Sequence, residues 1–303
     1  MTSFKTLLLR EWYQHRLGWM VIVAAPLFIA LLALLVGHVT VNVNDTDVVL
    51  DFGRAPALAL ATAAIVGTGV LSFVLAWFSA LLQSPGLARR DQQDRSIEFW
   101  LSLPVGHLPA LSAPLLVHLL LFPLAALGLG MLAGHLVSLL LVARFIGLGE
   151  WFSLPWGLIA LAWLSTMLRT ALGLVLATIW LSPLILLVMA ASAWLKRWGI
   201  PALAIGLVVL ANLLDKVFGY RAVWDLGREL MINVGRSFVY GASPGGMRFT
   251  PTSDPVEVLR AYPSWAAGDA WHSLQALNSP LLLLALAISS VCFGLLVWRR
   301  KRS

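Results

Sequence analysis

Cysteine is nearly absent. Cys292 stands alone in 303 residues, which excludes an intrachain disulfide framework and any cysteine-built metal cluster. Charge is scarce too: Asp, Glu, Lys and Arg make up 12% of the chain, against about 25% in an average soluble domain. Lysine is reduced to Lys5, Lys196, Lys216 and Lys301, and none of them follows a glycine. A Walker-type phosphate-binding loop is thereby excluded, because Gly-x-x-x-x-Gly-Lys-Ser/Thr needs a lysine on the phosphates and glycine backbone around them. The histidines are His15, His38, His107, His118, His135 and His272, and no two of them have zincin spacing. Neither an internal repeat nor a low-complexity stretch is evident. The charged start runs to Arg16, and the apolar run after it is too long for a secretory signal core of about 7–15 residues.

What is there is apolar sequence in long uncharged runs, 60% of the chain being hydrophobic. Lipid is the natural solvent for such runs, and a span needs about 20 residues. Six segments qualify, at about 19–37, 56–82, 111–142, 156–195, 199–217 and 280–298. The expected fold class is an all-α integral membrane protein forming a single domain over residues 1–303. The third and fourth segments exceed one bilayer crossing and must tilt, kink or project. Pro183 gives the fourth a physical cause for a kink.

Charge placement decides between six spans and seven. With six, and the N-terminus inside, the cytoplasmic pieces collect Lys5, Arg10, Arg16, Arg89, Arg90, Arg95, Lys196, Arg197, Arg299, Arg300, Lys301 and Arg302, twelve of the 21 basic residues. The two short outer loops hold Arg54 and Arg144 beside Asp45, Asp47, Asp51 and Glu150. A split fourth segment would put the Arg299–Arg302 tail outside, against the positive-inside tendency. Six spans with both termini cytoplasmic is the expected layout. The net charge of +7 is then a topology signal, and nucleic acid is not an expected partner.

The outer region, about 218–279, lies between spans five and six. Val223, Leu226, Leu230, Val234 and Phe238 recur there at helical spacing, with Asp225, Arg228, Glu229, Asn233 and Arg236 on other faces. That pattern predicts an amphipathic helix on the membrane surface or capping the bundle. A second short helix is expected around 265–277.

Few residues carry chemistry. Gly241-Ala-Ser-Pro-Gly245 has the Gly-x-Ser-x-Gly hydrolase pattern, with Asp254, Asp269 and His272 downstream. That chemistry needs a backbone N–H from the residue after the serine, and Pro244 has none. No catalytic, cofactor-binding or metal-ligating residue is assigned, and the chain is expected not to be an enzyme. His118 and His135 fall in span three, where a partnered or interface-facing side chain is the ordinary reading and a cargo-path or proton-linked role the alternative. Gly130-Met-Leu-Ala-Gly134 reads as a close-packing motif. Arg169, Asn212 and Asp215 are polar at or near membrane depth; they either line a transport path or mark the outer interface. At the N-terminus Phe4, Leu7, Leu8 and Trp12 share a helical face on which Glu11 and His15 intrude.

The most informative segment joins spans two and three. It is dense in charge over Arg89–Arg95, turns abruptly apolar, and ends at Pro104. Asp94 or Ser96 suits a helix cap, after which Ile97, Trp100, Leu101 and Pro104 form one apolar face and Glu98 stays free for a basic partner. The plain alternative is a solvated loop with an interfacial helix. Asp94-Arg-Ser-Ile-Glu-Phe-Trp-Leu-Ser-Leu-Pro-Val105 resembles the loop signature of the ABC-2 type permeases, the transmembrane subunits of one class of ATP-driven transporter. Leu9-Arg-Glu-Trp-Tyr-Gln-His-Arg16 is similar to that family's N-terminal amphipathic connector helix, and Trp180-Leu-Ser-Pro183 and the outer region are similar as well. His107 and Pro109 depart from the family pattern, which more usually has a serine and a charged residue there.

The resemblance implies a cytoplasmic coupling helix between spans two and three that docks a soluble ABC ATPase through Asp94, Arg95, Ser96, Ile97, Glu98, Phe99, Trp100, Leu103 and Pro104. It further implies a connector helix with Glu11, Trp12 and Arg16. The implied assembly holds two ATPase copies and a second copy of this permease or a homologous one, embedded in lipid. ATP and magnesium would sit on the ATPase, with no cofactor in this chain. The expected location is the bacterial cytoplasmic (inner) membrane, and the expected activity is export of an amphipathic, lipid-like, peptide or drug-like substrate. An ATP-independent secondary transporter or channel is the rival reading, with a membrane-embedded enzyme behind it.

Overall fold

The computed structural model describes residues 2–36, 55–87, 106–241 and 254–302, and among these every regular element is helical. Five helical runs are long and apolar enough to cross a membrane: Phe4–Leu32, Pro56–Leu87, His107–Phe145, Trp156–Phe218 and Pro280–Lys301. The chain is an integral membrane protein. The fourth run is two helices, α6 (Trp156–Leu195) and α7 (Gly199–Phe218), separated by a 3-10 turn at Lys196–Trp198. Lys196 bears a positive φ of 53° at this break.

α1 (Thr2–Val36) is a single helix. The N-terminal stretch expected as a separate connector instead continues the first span without interruption. Gly18 is the only weak helix former near the junction, and one glycine costs about 1 kcal/mol without ending a helix. α6 also runs unbroken through Pro183. Neighbouring helices and side-chain hydroxyls make proline tolerable in membrane helices. At 1.5 Å per residue its 40 residues extend about 60 Å, twice the ~30 Å hydrocarbon core. A helix of that length tilts in the core or extends beyond it.

The third run is interrupted. α3 (His107–Leu116) passes into a π-helical turn, π1 (Val117–Leu121), before α4 (Phe122–Phe145). Pro123 supplies the cause: it has no N–H to offer the carbonyl four residues back, and its ring crowds that carbonyl. The widened turn relieves both, and the Phe122 N–H bonds to the carbonyl of Val117. Such π-bulges recur at functional sites.

α2 (Pro56–Leu87) and α4 pack at close backbone approach. A Cβ added at Gly134 would lie 2.7 Å from Ile65 Cα, and one at Gly130 would lie 2.6 Å from Ser72 Oγ. The Gly130/Gly134 pair is thus a packing device that only glycine satisfies. After α4 comes the short α5 (Leu148–Phe152), whose Trp151 donates to Ser138 Oγ at 3.1 Å.

Beyond α7, α8 (Ala222–Phe238) lays Leu226, Leu230 and Val234 against Trp180, Ala285 and Leu281. The amphipathic helix read from the sequence therefore seals the flank of the bundle. α9 (Pro255–Gln275) is longer than the helix expected near 265–277. Asp254 caps it, accepting from the Val256 N–H at 3.0 Å, with Pro255 as first helical residue; both are established helix-start signals. α10 (Pro280–Lys301) begins the same way at Ser279-Pro280. Its far end returns to the end of α6, where Trp298 stacks on Trp194 with ring centroids 6.4 Å apart.

Candidate functional site

Two buried polar centres lie in this apolar bundle. The first is near the end that carries the N-terminus, where α1 meets π1. Glu11 and His118 are both fully buried, and Glu11 Oε2 lies 3.3 Å from His118 Nε2. Arg10 donates Nε and Nη2 to the other oxygen, Oε1, at 3.2 and 2.9 Å. His15, one turn beyond Glu11, meets His118 edge-on with ring centroids 4.8 Å apart. One ligand-capable atom each from Glu11, His15 and His118 lies within 4.8 Å of the others. Trp19 stacks on His15 at 5.6 Å and on Phe122 at 4.5 Å, giving the cluster an aromatic wall. His118 Nδ1 is buried without a hydrogen-bond partner.

The geometry follows from local sequence. Glu11 and His15 are four residues apart, so they share one helical face. The π turn lies just before Pro123, and His118 sits within it. The sequence signal was present in the two polar residues intruding on an otherwise apolar face. The pairing of Glu11 with a histidine more than a hundred residues away does not follow from spacing.

The second centre is built on Arg169. Its Nε and Nη2 donate to Asp269 Oδ2 at 2.9 and 2.6 Å, its Nη1 to the Ser237 carbonyl at 2.7 Å, and Nη2 also to Ser273 Oγ at 2.8 Å. Asp269 further accepts from the backbone N–H groups of Tyr240 and Gly241 at 3.0 and 3.1 Å. Every nitrogen of the guanidinium and both carboxylate oxygens are engaged. Arg169 is about 39 Å along α6 from Leu195. This network fastens α8 and α9 to the first half of α6. Gly173, one turn away, allows the approach: a Cβ there would lie 2.8 Å from the Ser237 carbonyl oxygen.

The other residues singled out from sequence fall elsewhere. Asn212 is half-buried and donates back to the Val208 carbonyl at 2.8 Å. Asp215 faces Arg221 at 3.8 Å, Arg221 largely in the open and Asp215 half-buried. Arg169, Asn212 and Asp215 share no hydrogen bond or ion pair among the described residues. Trp12 is 45% exposed and approaches Trp19 at 6.0 Å; the Arg16 guanidinium covers the Tyr13 ring at 5.8 Å. His135 contacts the Met131 carbonyl through Nδ1 at 2.8 Å. His272 stacks on Tyr240, while Asp269 belongs to Arg169. The ATPase-docking candidates Asp94, Arg95, Ser96, Ile97, Glu98, Phe99, Trp100, Leu103 and Pro104 lie outside the described residues, as do Ser243 and Pro244.

No protein-family model, no curated protein and no solved structure matches this chain.

Proposed function

We propose that this chain is the transmembrane subunit of an ATP-driven exporter of the ABC-2 type, powered by a separate soluble ATPase. The observation that carries the reading is the run Asp94–Val105, in which a charged stretch turns into the Ser-Ile-Glu-Phe-Trp-Leu-Ser-Leu-Pro step that resembles the family's docking loop. Three features support it. α2 ends at Leu87 and α3 starts at His107, so this loop leaves and re-enters the bundle at the end where Glu11 meets His118. The N-terminal helix is continuous with the first span and pinned to π1 there, so a push on either the loop or the N-terminal segment reaches the spans directly. The chain also lacks a Walker lysine, which leaves ATP hydrolysis to a partner.

In this reading α6 and α7 are spans four and five, giving six spans with both termini in the cytoplasm. Two such subunits, identical or related, pair with two ATPase subunits in a bacterial inner membrane. An amphipathic cargo suits the apolar spans. Affinity purification of the full chain from its native membranes in mild detergent, followed by mass spectrometry, tests this. A stoichiometric ATPase bearing Walker motifs is the expected companion, and Glu98→Arg or Trp100→Ala should lower its recovery about tenfold, the loss of roughly 1.4 kcal/mol of docking energy, while the permease stays folded. Purification without any ATPase, under conditions that preserve other membrane complexes, would overturn the reading in favour of an ion-driven carrier.

A further inference from the structure

We infer that the end of the bundle where α6 turns into α7 and α10 stops is a binding site for an anionic phospholipid. Its phosphate would rest on Lys196, Arg197, Arg299 and Arg302, and its tails along α10. Leu284, Val291, Leu295, Trp298 and Arg302 follow one another at steps of seven, four, three and four, so they form one stripe of that helix. All five are exposed. Toward the C-terminus the stripe passes from aliphatic to indole to guanidinium, the order in which a leaflet passes from tails to interface to phosphate. From Leu284 to Trp298 it covers about 21 Å, more than half of a ~30 Å hydrocarbon core.

The cations at the head of the stripe are held in place by aromatic rings. Trp298 stacks on Trp194 of α6 with 22° between the ring planes. The Arg302 guanidinium lies 4.1 Å from the Trp298 ring centre, and that of Arg299 lies 5.8 Å from the Trp194 ring centre. Arg197 covers Trp198 at 5.9 Å. A guanidinium laid on a ring keeps N–H groups at its edge for an acceptor, and that planar fork matches phosphate oxygens. Arg299 also has a shielded Nε–H with no protein acceptor, a donor that a phosphate oxygen would satisfy.

Lys196 joins them through the backbone. It has φ 53° and ψ −122° at the close of α6, a positive-φ conformation that glycine adopts without steric cost and lysine does not. Gly199 then brings α7 back against α6, where a Cβ would lie 2.6 Å from Ser192 Cα. Backbone strain of this kind gathers at binding sites, and a lysine at the strained position supplies a charge that glycine could not.

Charge complementarity selects the occupant. Among the described residues none of these four cations is paired with a carboxylate. α6, α7 and α10 carry one acid between them, Asp215, about 24 Å along α7 from Gly199. Arg300 faces inward and is engaged within the protein, so it is not counted. Basic groups at a helix end attract anionic lipid headgroups. Free phosphate would use the cations alone; the exposed aliphatic stripe that runs up to them favours a lipid.

This site stands independently of the transport reading, and its test needs no ATPase. Full-length protein, stripped of native lipid in mild detergent, is titrated with phosphatidylglycerol or phosphatidylcholine, and bound lipid is counted by native mass spectrometry. Phosphatidylglycerol is expected to bind more tightly. The double variant Arg299→Gln/Arg302→Gln should cut its affinity about thirtyfold, at about fivefold per basic residue near the surface. Lys196→Gly removes one charge and the backbone strain together. It should bind about fivefold more weakly while unfolding no earlier than wild type, and it decides the matter should the double variant fail to fold. Arg228→Gln, on α8, should bind as wild type does. Equal binding of the two lipids, full affinity in the site variants, or displacement of phosphatidylglycerol by equimolar inorganic phosphate would overturn the inference. So would a disulfide between two copies at Leu295→Cys in a Cys292→Ser background, since a second chain would then cover the stripe.

Discussion

The two buried polar centres differ in how completely they are satisfied. At Arg169 and Asp269 each charged atom has a protein partner at 2.6–3.1 Å. At Glu11 and His118 the link is a single 3.3 Å contact, and one imidazole nitrogen has no partner. A saturated network in a low-dielectric setting specifies one arrangement and rigidifies it. The Arg169 centre thus acts as a weld for the outer helices, whereas the Glu11 centre holds α1 against π1 through one contact to an imidazole whose other nitrogen is buried and unpartnered. Electrostatic rarity alone would rank them the other way, since an arginine in an apolar run draws more notice than a histidine.

Substitutions can break or sharpen that contrast. The largest effect is expected from Asp269→Ala, which strands a buried guanidinium and two backbone N–H groups. A loss of about 3–5 kcal/mol is the usual cost of removing one partner of a buried pair, and detergent-phase unfolding should show it, with earlier protease cleavage of α8 and α9. A smaller loss, about 1–2 kcal/mol, is expected for His118→Phe. The aromatic ring keeps the packing against Trp19, and Glu11 keeps Arg10. If His118→Phe proved as costly as Asp269→Ala, the Glu11 centre would be a second weld and the contrast would fail. The smallest effect belongs to Asn212→Ala, within about 0.5 kcal/mol as for ordinary surface sites, because its only described bond runs back along its own helix.

Much of the fold was legible in the sequence. The fourth segment, 156–195, coincides with α6, and the amphipathic run through Leu226, Leu230 and Val234 is α8. Gly130 and Gly134 were legible as packing. The length of α9 was also written in Asp254-Pro255, a helix start that the aromatic cluster further on obscured. The continuity of α1 was not legible, because a charged stretch followed by an apolar one reads as two pieces when composition alone is judged.

What the sequence determined by itself is the solvent of this protein, since lipid demands long uncharged helices and charge is readable one residue at a time. It also determined that ATP hydrolysis of the Walker type has no lysine to work with here. Only the tertiary structure decided which polar residues meet. Arg169 turned to Asp269, a hundred residues on, rather than to Asn212 or Asp215, and Glu11 turned to His118 across two helices. Helical periodicity fixes which face a residue occupies, but not which distant face will cover it; that choice belongs to the packing of whole helices, set here by glycine contacts between α2 and α4 and by the π turn before Pro123.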